Sequence, residues 1–193
     1  MRKPLGLILS GGQGRRMGHV LKADVMLGQL SLLDRCRDRL DPQVDGIIVN
    51  ANVPLDTPHP VIPDTMHGFL GPLAGILAGL IHGAERGHTH VVSVAVDTPF
   101  FPCDLVPQLQ LAGLAHGDGF AVAATGDGLQ GTFAIWPVGL RTSLAAYLQS
   151  GGRKLGDFTV QHDAATALFA PTTPDAFFNV NTPQDLAEAT QWI

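Results

Sequence analysis

Cysteine is scarce in this chain: two residues, Cys36 and Cys103, stand far apart with no C-x-x-C spacing. That excludes a disulfide framework and a cysteine zinc site, and it makes a reducing cytoplasm the expected compartment. Long apolar runs are missing too, so nothing approaches the length of a bilayer span and no membrane partner is expected. The start, "MRKPLGLILSGG", has a basic tip, but its apolar stretch is interrupted by Gly6 and ends in glycine, which suits a first strand better than a leader. Positive charge is in short supply, with a formal net charge of -5. A general nucleic-acid binder would need a basic face, so no nucleic-acid partner is expected. No G-x-S-x-G points to a serine hydrolase, and no G-x-x-x-x-G-K-[ST] to a Walker A loop.

What is present suits one sizeable core: 193 residues, 45% hydrophobic, read as a single domain over 1–193. Apolar runs of strand length alternate with helical patterns, giving an α/β class. "GLILS" reads as strand one, "SLLDRCRDRL" as a helix opened by Ser31 with Asp34 in a capping-box arrangement, and "GIIVN" as the next strand. "PVIPD" is a short strand. "GPLAGILAGLIHGAERG" is a helix with Leu73, Ile76, Leu77, Leu80 and Ile81 on one face, Pro72 in its first turn and Gly87 past its end. "VVSVAVD" is apolar throughout, as a central parallel strand covered on both faces would be. "FAVAAT" and "GTFAIWP", joined by "GDGLQ", are two further strands. "FFNVN" is a last strand, leading into a helix capped by Thr182 with Pro183 and Asp185 behind it. The alternation predicts a mostly parallel sheet with helices on both faces and a ligand site beyond the carboxyl ends of its strands.

"LSGGQGRRMG", residues 9 to 18, lies at such a strand end. Four glycines leave the backbone bare enough for N–H groups to grip an anion, and Arg15 and Arg16 add charge. Five of the twelve basic residues (Arg2, Lys3, Arg15, Arg16, Lys22) fall within the first 22 positions, a basic island suited to a small anion. A dinucleotide fingerprint would need a helix at once and an acidic residue ending the second strand. Here the next helix starts near Ser31 and that strand ends in Asn50. Asn50, Asp64, Asp97 and Asn181 all stand at carboxyl ends of expected strands. "HTH" at 88–90 has no evident third ligand for zinc, Met17 suits packing beneath the loop, and Arg153 and Lys154 are open either to a second substrate's phosphate or to a helix end.

Taken together, "LSGGQGRRMG" with Lys22, "VNAN", "GPLAG", "VDTPF" and "NVNTP" resemble the molybdenum cofactor guanylyltransferases, in order from residue 5 to about 190. The resemblance implies a Rossmann-like three-layer nucleotidyltransferase fold. It also implies transfer of GMP from GTP to the terminal phosphate of molybdopterin or Mo-molybdopterin, with Mg²⁺ and release of pyrophosphate. Position by position, Leu9, Ser10, Gly11 and Gly12 match the nucleotide-binding turn, Lys22 the loop lysine, Asn50 and Asp64 two GTP contacts, Asp97 the Mg²⁺ and GTP ligand, and Asn179 and Asn181 the closing motif. Catalytic roles fall on Arg16, Lys22 and Asp97. Partners implied beyond the substrates are other proteins of cofactor biosynthesis and the recipient molybdoenzymes. Related cytidylyltransferases, sugar-phosphate nucleotidyltransferases and a non-catalytic nucleotide-binding protein are the alternatives. Two departures stand out: Ser10 replaces the family's Ala, and Leu21 replaces an Asp beside the lysine.

That chemistry needs few protein groups. A terminal phosphate is already ionised at neutral pH, so neither a base nor a protein nucleophile is required, only neutralisation of charge. Lys22 and Arg16 suit that task, and Mg²⁺ needs only one or two carboxylates besides phosphates and water.

Overall fold

The computed structural model describes residues 3–11, 21–66, 68, 71–115 and 117–193. Seven strands of these residues form one sheet: β1 (Leu5–Leu9), β4 (Ile47–Asn50), β5 (Val61–Ile62), β6 (His90–Ala95), β7 (Ala121–Thr125), β8 (Gly128–Pro137) and β9 (Ala165–Leu168). Their spatial order is β5-β4-β1-β6-β8-β7-β9. Four of the six neighbouring pairs are parallel; β8 runs against both β6 and β7. "VVSVAVD" is therefore central, but parallel to β1 on one side only. A strand joined to β7 by a two-residue turn must return antiparallel, and the sheet accepts it between β6 and β7.

Helices cover both faces. On one lie α1 (Leu32–Leu40), α3 (Leu105–Leu114) and α6 (Pro183–Thr190); on the other α2 (Pro72–Glu85), α4 (Arg141–Gln149) and α5 (Leu155–Gln161). The alternation within β1 serves both layers, with Ile8 packed into the first core and Leu5, Leu7 and Leu9 into the second. Beside the Leu and Ile stripe expected of α2 runs a second one of glycine. A Cβ on Gly79 would meet Leu7 at 2.6 Å, and one on Gly83 would meet Val91 at 2.9 Å, so these positions let the helix sit close on the sheet. Ser31 caps α1 by accepting from the Asp34 N–H at 3.0 Å, while the Asp34 carboxylate bonds the Ser31 hydroxyl rather than its amide. The box on α6 is complete, with Thr182 and Asp185 bonded reciprocally.

Helices α4 and α5 and strand β9 form where the sequence pattern marks no element, and three further features depart from that pattern. A hairpin of β2 (Met26–Leu27) and β3 (Leu30–Ser31) occupies the stretch before α1. Helix α3 begins beside Pro107, tolerated because the first turn leaves its N–H unneeded. Finally, "FFNVN" is not a strand. Its aromatic rings hold it instead: Phe177 lies 5.2 Å from Phe133 and 5.5 Å from Phe169, and Phe178 lies 4.8 Å from Trp192. One backbone bond, Val180 N–H to the Asp97 carbonyl at 2.7 Å, ties the segment to the end of the central sheet. Among the described residues no helix is long and apolar enough to cross a membrane.

Candidate active site

The chain order of the strands reverses direction between β1 and β6: from β1 the chain builds outward through β4 and β5, then returns to β1's other side. Such a switch point opens a crevice at the carboxyl ends of the strands. Leu9, the last residue of β1, pairs with Asn50 of β4 and Ala95 of β6, so both flanks of the crevice are registered on it. Its side chain is buried, and its carbonyl accepts from the Val96 N–H at 3.1 Å. What Leu9 supplies is the position of the turn that follows, in which the Ser10 N–H bonds the Asn50 carbonyl at 2.9 Å.

On the β6 flank, Lys22 extends its ammonium from a single helical turn, Lys22–Asp24, to Asp97 two residues past the strand. Its Nζ lies 2.6 Å from Asp97 Oδ2 and donates also to Asn181 Oδ1. The two charged side chains are only 15% and 19% exposed, so solvent screens them weakly. The carboxylate that Leu21 lacks is thus supplied across the fold, where Asp97 and Asn181 orient the lysine together. Asn179 is brought close but turned elsewhere: it accepts from the buried Thr98 hydroxyl at 3.0 Å and donates to the Phe177 carbonyl. It braces the segment that carries Asn181. Asp185 holds the same segment, its Oδ2 accepting from the N–H groups of Asn181 and Thr182 at 2.8 Å each. The Asn181 N–H above all keeps that carboxyl below the usual carboxylate range, with the Thr182 hydroxyl and N–H and the Lys22 charge acting in the same direction against desolvation.

On the β4 flank stands a second polar cluster. The nearly buried Asn50 donates to the Ile62 carbonyl and, at 3.0 Å, to Asp64 Oδ1. Asn52, which nothing in "VNAN" singles out, donates to Asp64 Oδ2 at 2.8 Å and accepts from the Asp64 N–H at 2.9 Å. Gly75 of α2 makes room for this: a Cβ there would lie 2.1 Å from Asn50 Oδ1. Gly11 faces the same oxygen with space to spare, 3.7 Å from the position its Cβ would take. β1 lies between this cluster, at the ends of β4 and β5, and the lysine cluster beyond β6, with neighbouring strands about 5 Å apart, which leaves room for a nucleoside between its base and its phosphates.

Gly12, Arg15, Arg16 and Met17 lie outside the described residues. Arg153 is spent on a helix end, donating to the Leu148 and Gly152 carbonyls at the close of α4. His90 faces the Asp118 carbonyl at 2.9 Å rather than His88, and among the described residues no group of three or more His, Cys, Asp or Glu gathers as a metal site. The Cys36 thiol is buried beneath the Ala95 and Val96 carbonyls, and burial pushes its pKa far up, so it carries no thiolate into the site.

Residues 6–165 match the model of the MobA-like NTP transferase domain. A protein from Rhizobium leguminosarum bv. trifolii named molybdenum cofactor guanylyltransferase is 44% identical over 195 residues, covering 97% of this chain and 92% of its own. One of the same name from Rhizobium meliloti is 41% identical over 202 residues, covering 98% and 92%. Among solved structures, molybdopterin-guanine dinucleotide biosynthesis protein A from Archaeoglobus fulgidus superposes with a TM-score of 0.75 at 23% identity, over 97% of each chain, and so shares the fold.

Proposed function

The chain belongs to the MobA-like NTP transferase family, and from that membership and its site we propose that it transfers GMP from GTP to the terminal phosphate of molybdopterin or Mo-molybdopterin. The observation that carries this reading is the pair of polar clusters flanking β1: a carboxylate clasped by two amides on one side, and a lysine held by Asp97 and Asn181 on the other. The first suits a purine carrying adjacent N–H donors; the second suits a triphosphate. In the reaction an oxygen of the pterin phosphate bonds to the α-phosphorus of GTP. The bond from that phosphorus to the β-phosphate oxygen breaks, and pyrophosphate leaves with the electron pair.

The chain's own groups bind, orient and neutralise. Asp64 accepts from guanine N1–H and its 2-amino group, a donor pair that cytosine does not present. Lys22 exchanges its internal partners for phosphate oxygens and offsets the charge that builds on the leaving pyrophosphate. Asp97 Oδ2 and Asn181 Oδ1 already converge on one cation, the lysine ammonium, and are hard oxygen donors of the kind Mg²⁺ prefers; Asp97, with Asn181 beside it, is the site proposed for that ion. Held there by Asp97 with Asn181 beside it, Mg²⁺ would supply Lewis-acid withdrawal of charge from the phosphates. Arg16 is assigned a supporting phosphate contact from the basic loop.

Competition between labelled GTP and CTP for transfer to molybdopterin, with Mg²⁺ and again with chelator, tests the reading. The expected result is a guanylylated product and a ten- to hundredfold preference for GTP in kcat/KM, on the order of what a carboxylate left unpaired under the bound base costs a wrong one. A predominantly cytidylylated product would overturn the base assignment. Binding of GTP without pterin-dependent pyrophosphate release would overturn catalysis.

A further inference from the structure

We propose that Asn52 is a specificity-determining positioning residue, which locks the Asp64 carboxylate in the plane that reads guanine. The inference rests on the guanylyl-transfer reading and goes beyond it to a residue that touches the base only through Asp64.

The case begins with strand geometry. β4 ends at Asn50, and the chain stays paired one residue longer, the Ala51 N–H reaching the Ile62 carbonyl at 3.0 Å. Asn50 closes the strand and Asn52 stands in the bend just beyond it, and both side-chain amides reach Asp64 in the segment after β5. Backbone pairing has stopped there, and the Asn52 side chain takes its place. Its Oδ1 accepts from the Asp64 N–H at 2.9 Å while its Nδ2 donates to Asp64 Oδ2 at 2.8 Å, closing a ring that continues the ladder through a side chain.

Each carboxylate oxygen of Asp64 therefore receives one amide N–H, Oδ1 from Asn50 and Oδ2 from Asn52. Held by one amide alone, a carboxylate still turns about its last torsion, which is broad for Asp. Held at both oxygens, it has a single plane, and the remaining acceptor positions of the two oxygens lie in it. Recognition of two adjacent N–H donors by a carboxylate is bidentate and sensitive to that plane. Asn50 is nearly buried and shares its donors with the Ile62 carbonyl, whereas Asn52 is exposed and commits its whole amide to Asp64. The exposed amide thus sets the orientation, and the buried one sets the position.

The test compares GTP with inosine triphosphate, which keeps the N1–H and lacks the 2-amino group, as substrates of the full-length enzyme with molybdopterin. Three variants are needed: Asn52→Ala; Asn52→Asp, which keeps an acceptor for the Asp64 N–H but loses the donor to Oδ2; and Asp64→Ala. Thermal melting shows that each is folded. Wild type should prefer GTP over ITP by about tenfold, the scale of one hydrogen bond lost to a charged acceptor. Asn52→Ala and Asn52→Asp should each cut that ratio to about threefold or less, chiefly through the KM for GTP, and Asn52→Ala should add nothing in an Asp64→Ala background. A ratio unchanged by both Asn52 variants but collapsed by Asp64→Ala would overturn the proposal, leaving Asn52 a loop fastener. A ratio unchanged by Asp64→Ala would overturn it as well, by removing the carboxylate from base recognition. Neither result would touch the activity itself, which is decided separately by whether wild type makes the guanylylated product.

Discussion

Replacing Asp97 with asparagine removes one charge from the least exposed ion pair among the described residues while changing almost nothing in shape. At 2.6 Å, with both side chains less than a fifth exposed, the attraction between Lys22 and Asp97 is roughly 6 kcal/mol gross in a medium of effective dielectric near 20. Most of that repays the desolvation of the two ions. The substituted amide would still offer an oxygen to the ammonium, so the net loss is that of a charge-assisted bond reduced to a neutral one, about 1–3 kcal/mol. For a chain of this length that lowers Tm by about 3–10 °C and leaves the protein folded at 25 °C. Turnover should suffer far more. The carboxylate proposed to hold Mg²⁺ contributes most when charge moves onto the leaving pyrophosphate, and losing about 3–5 kcal/mol there slows the reaction by roughly 10²- to 10³-fold or more. The assay is pyrophosphate release from GTP with molybdopterin and Mg²⁺, run beside a melting curve. Turnover within a fewfold of wild type in the folded variant would refute the role of Asp97. Loss of activity that merely tracked a collapsed Tm would show the residue to be structural.

Lys22→Ala should lower kcat more than Arg15→Ala, since the lysine is the cation aimed at Asp97 and Asn181; equal and small effects in steady-state assays would disconnect it from the reaction. Gly75→Ala should raise the KM for GTP and lower stability by about 1–3 kcal/mol, because the new methyl would stand 2.1 Å from Asn50 Oδ1 and must drive that side chain out of place. Gly11→Ala, by contrast, should leave Tm close to wild type, its methyl having 3.7 Å of clearance, and should narrow the preference for GTP over CTP by intruding beside Asn50. The Asp185 carboxyl, held below its ordinary range chiefly by the Asn181 N–H, binds a proton less readily folded than unfolded. The stability it contributes is therefore present above about pH 4 and is lost as the pH falls below that, so the Tm of Asp185→Asn should decline less steeply than that of wild type in this acid range.

The sequence by itself determined the α/β class, most of the strands and the cap of the last helix, because these depend on periodicity and on contacts between near neighbours. Ser31 before an apolar face, Thr182 with Asp185 three residues on, and Pro72 in a first turn act within four residues of themselves. Asn50, Asp64, Asp97 and Asn181 were legible for another reason, since polar groups at the ends of apolar runs gather on one edge of any such sheet, while Lys22 was legible from the basic island of the first 22 positions and from the family resemblance. Tertiary structure decided which of them touch. Nothing local says that Lys22 turns to Asp97, 75 positions away, and to Asn181, 159 away. Nothing local says that Asn179 braces Thr98 instead. "FFNVN" has the alternation of a strand, yet the Phe133, Phe169 and Trp192 rings outweigh a ladder, and the segment becomes the strap that presents Asn181. Asn52 carried no signal of its own, being one asparagine in an exposed loop. Its part emerges only where β4 and β5 end side by side and leave one amide facing one carboxylate, a juxtaposition that the parallel pairing of two distant segments creates.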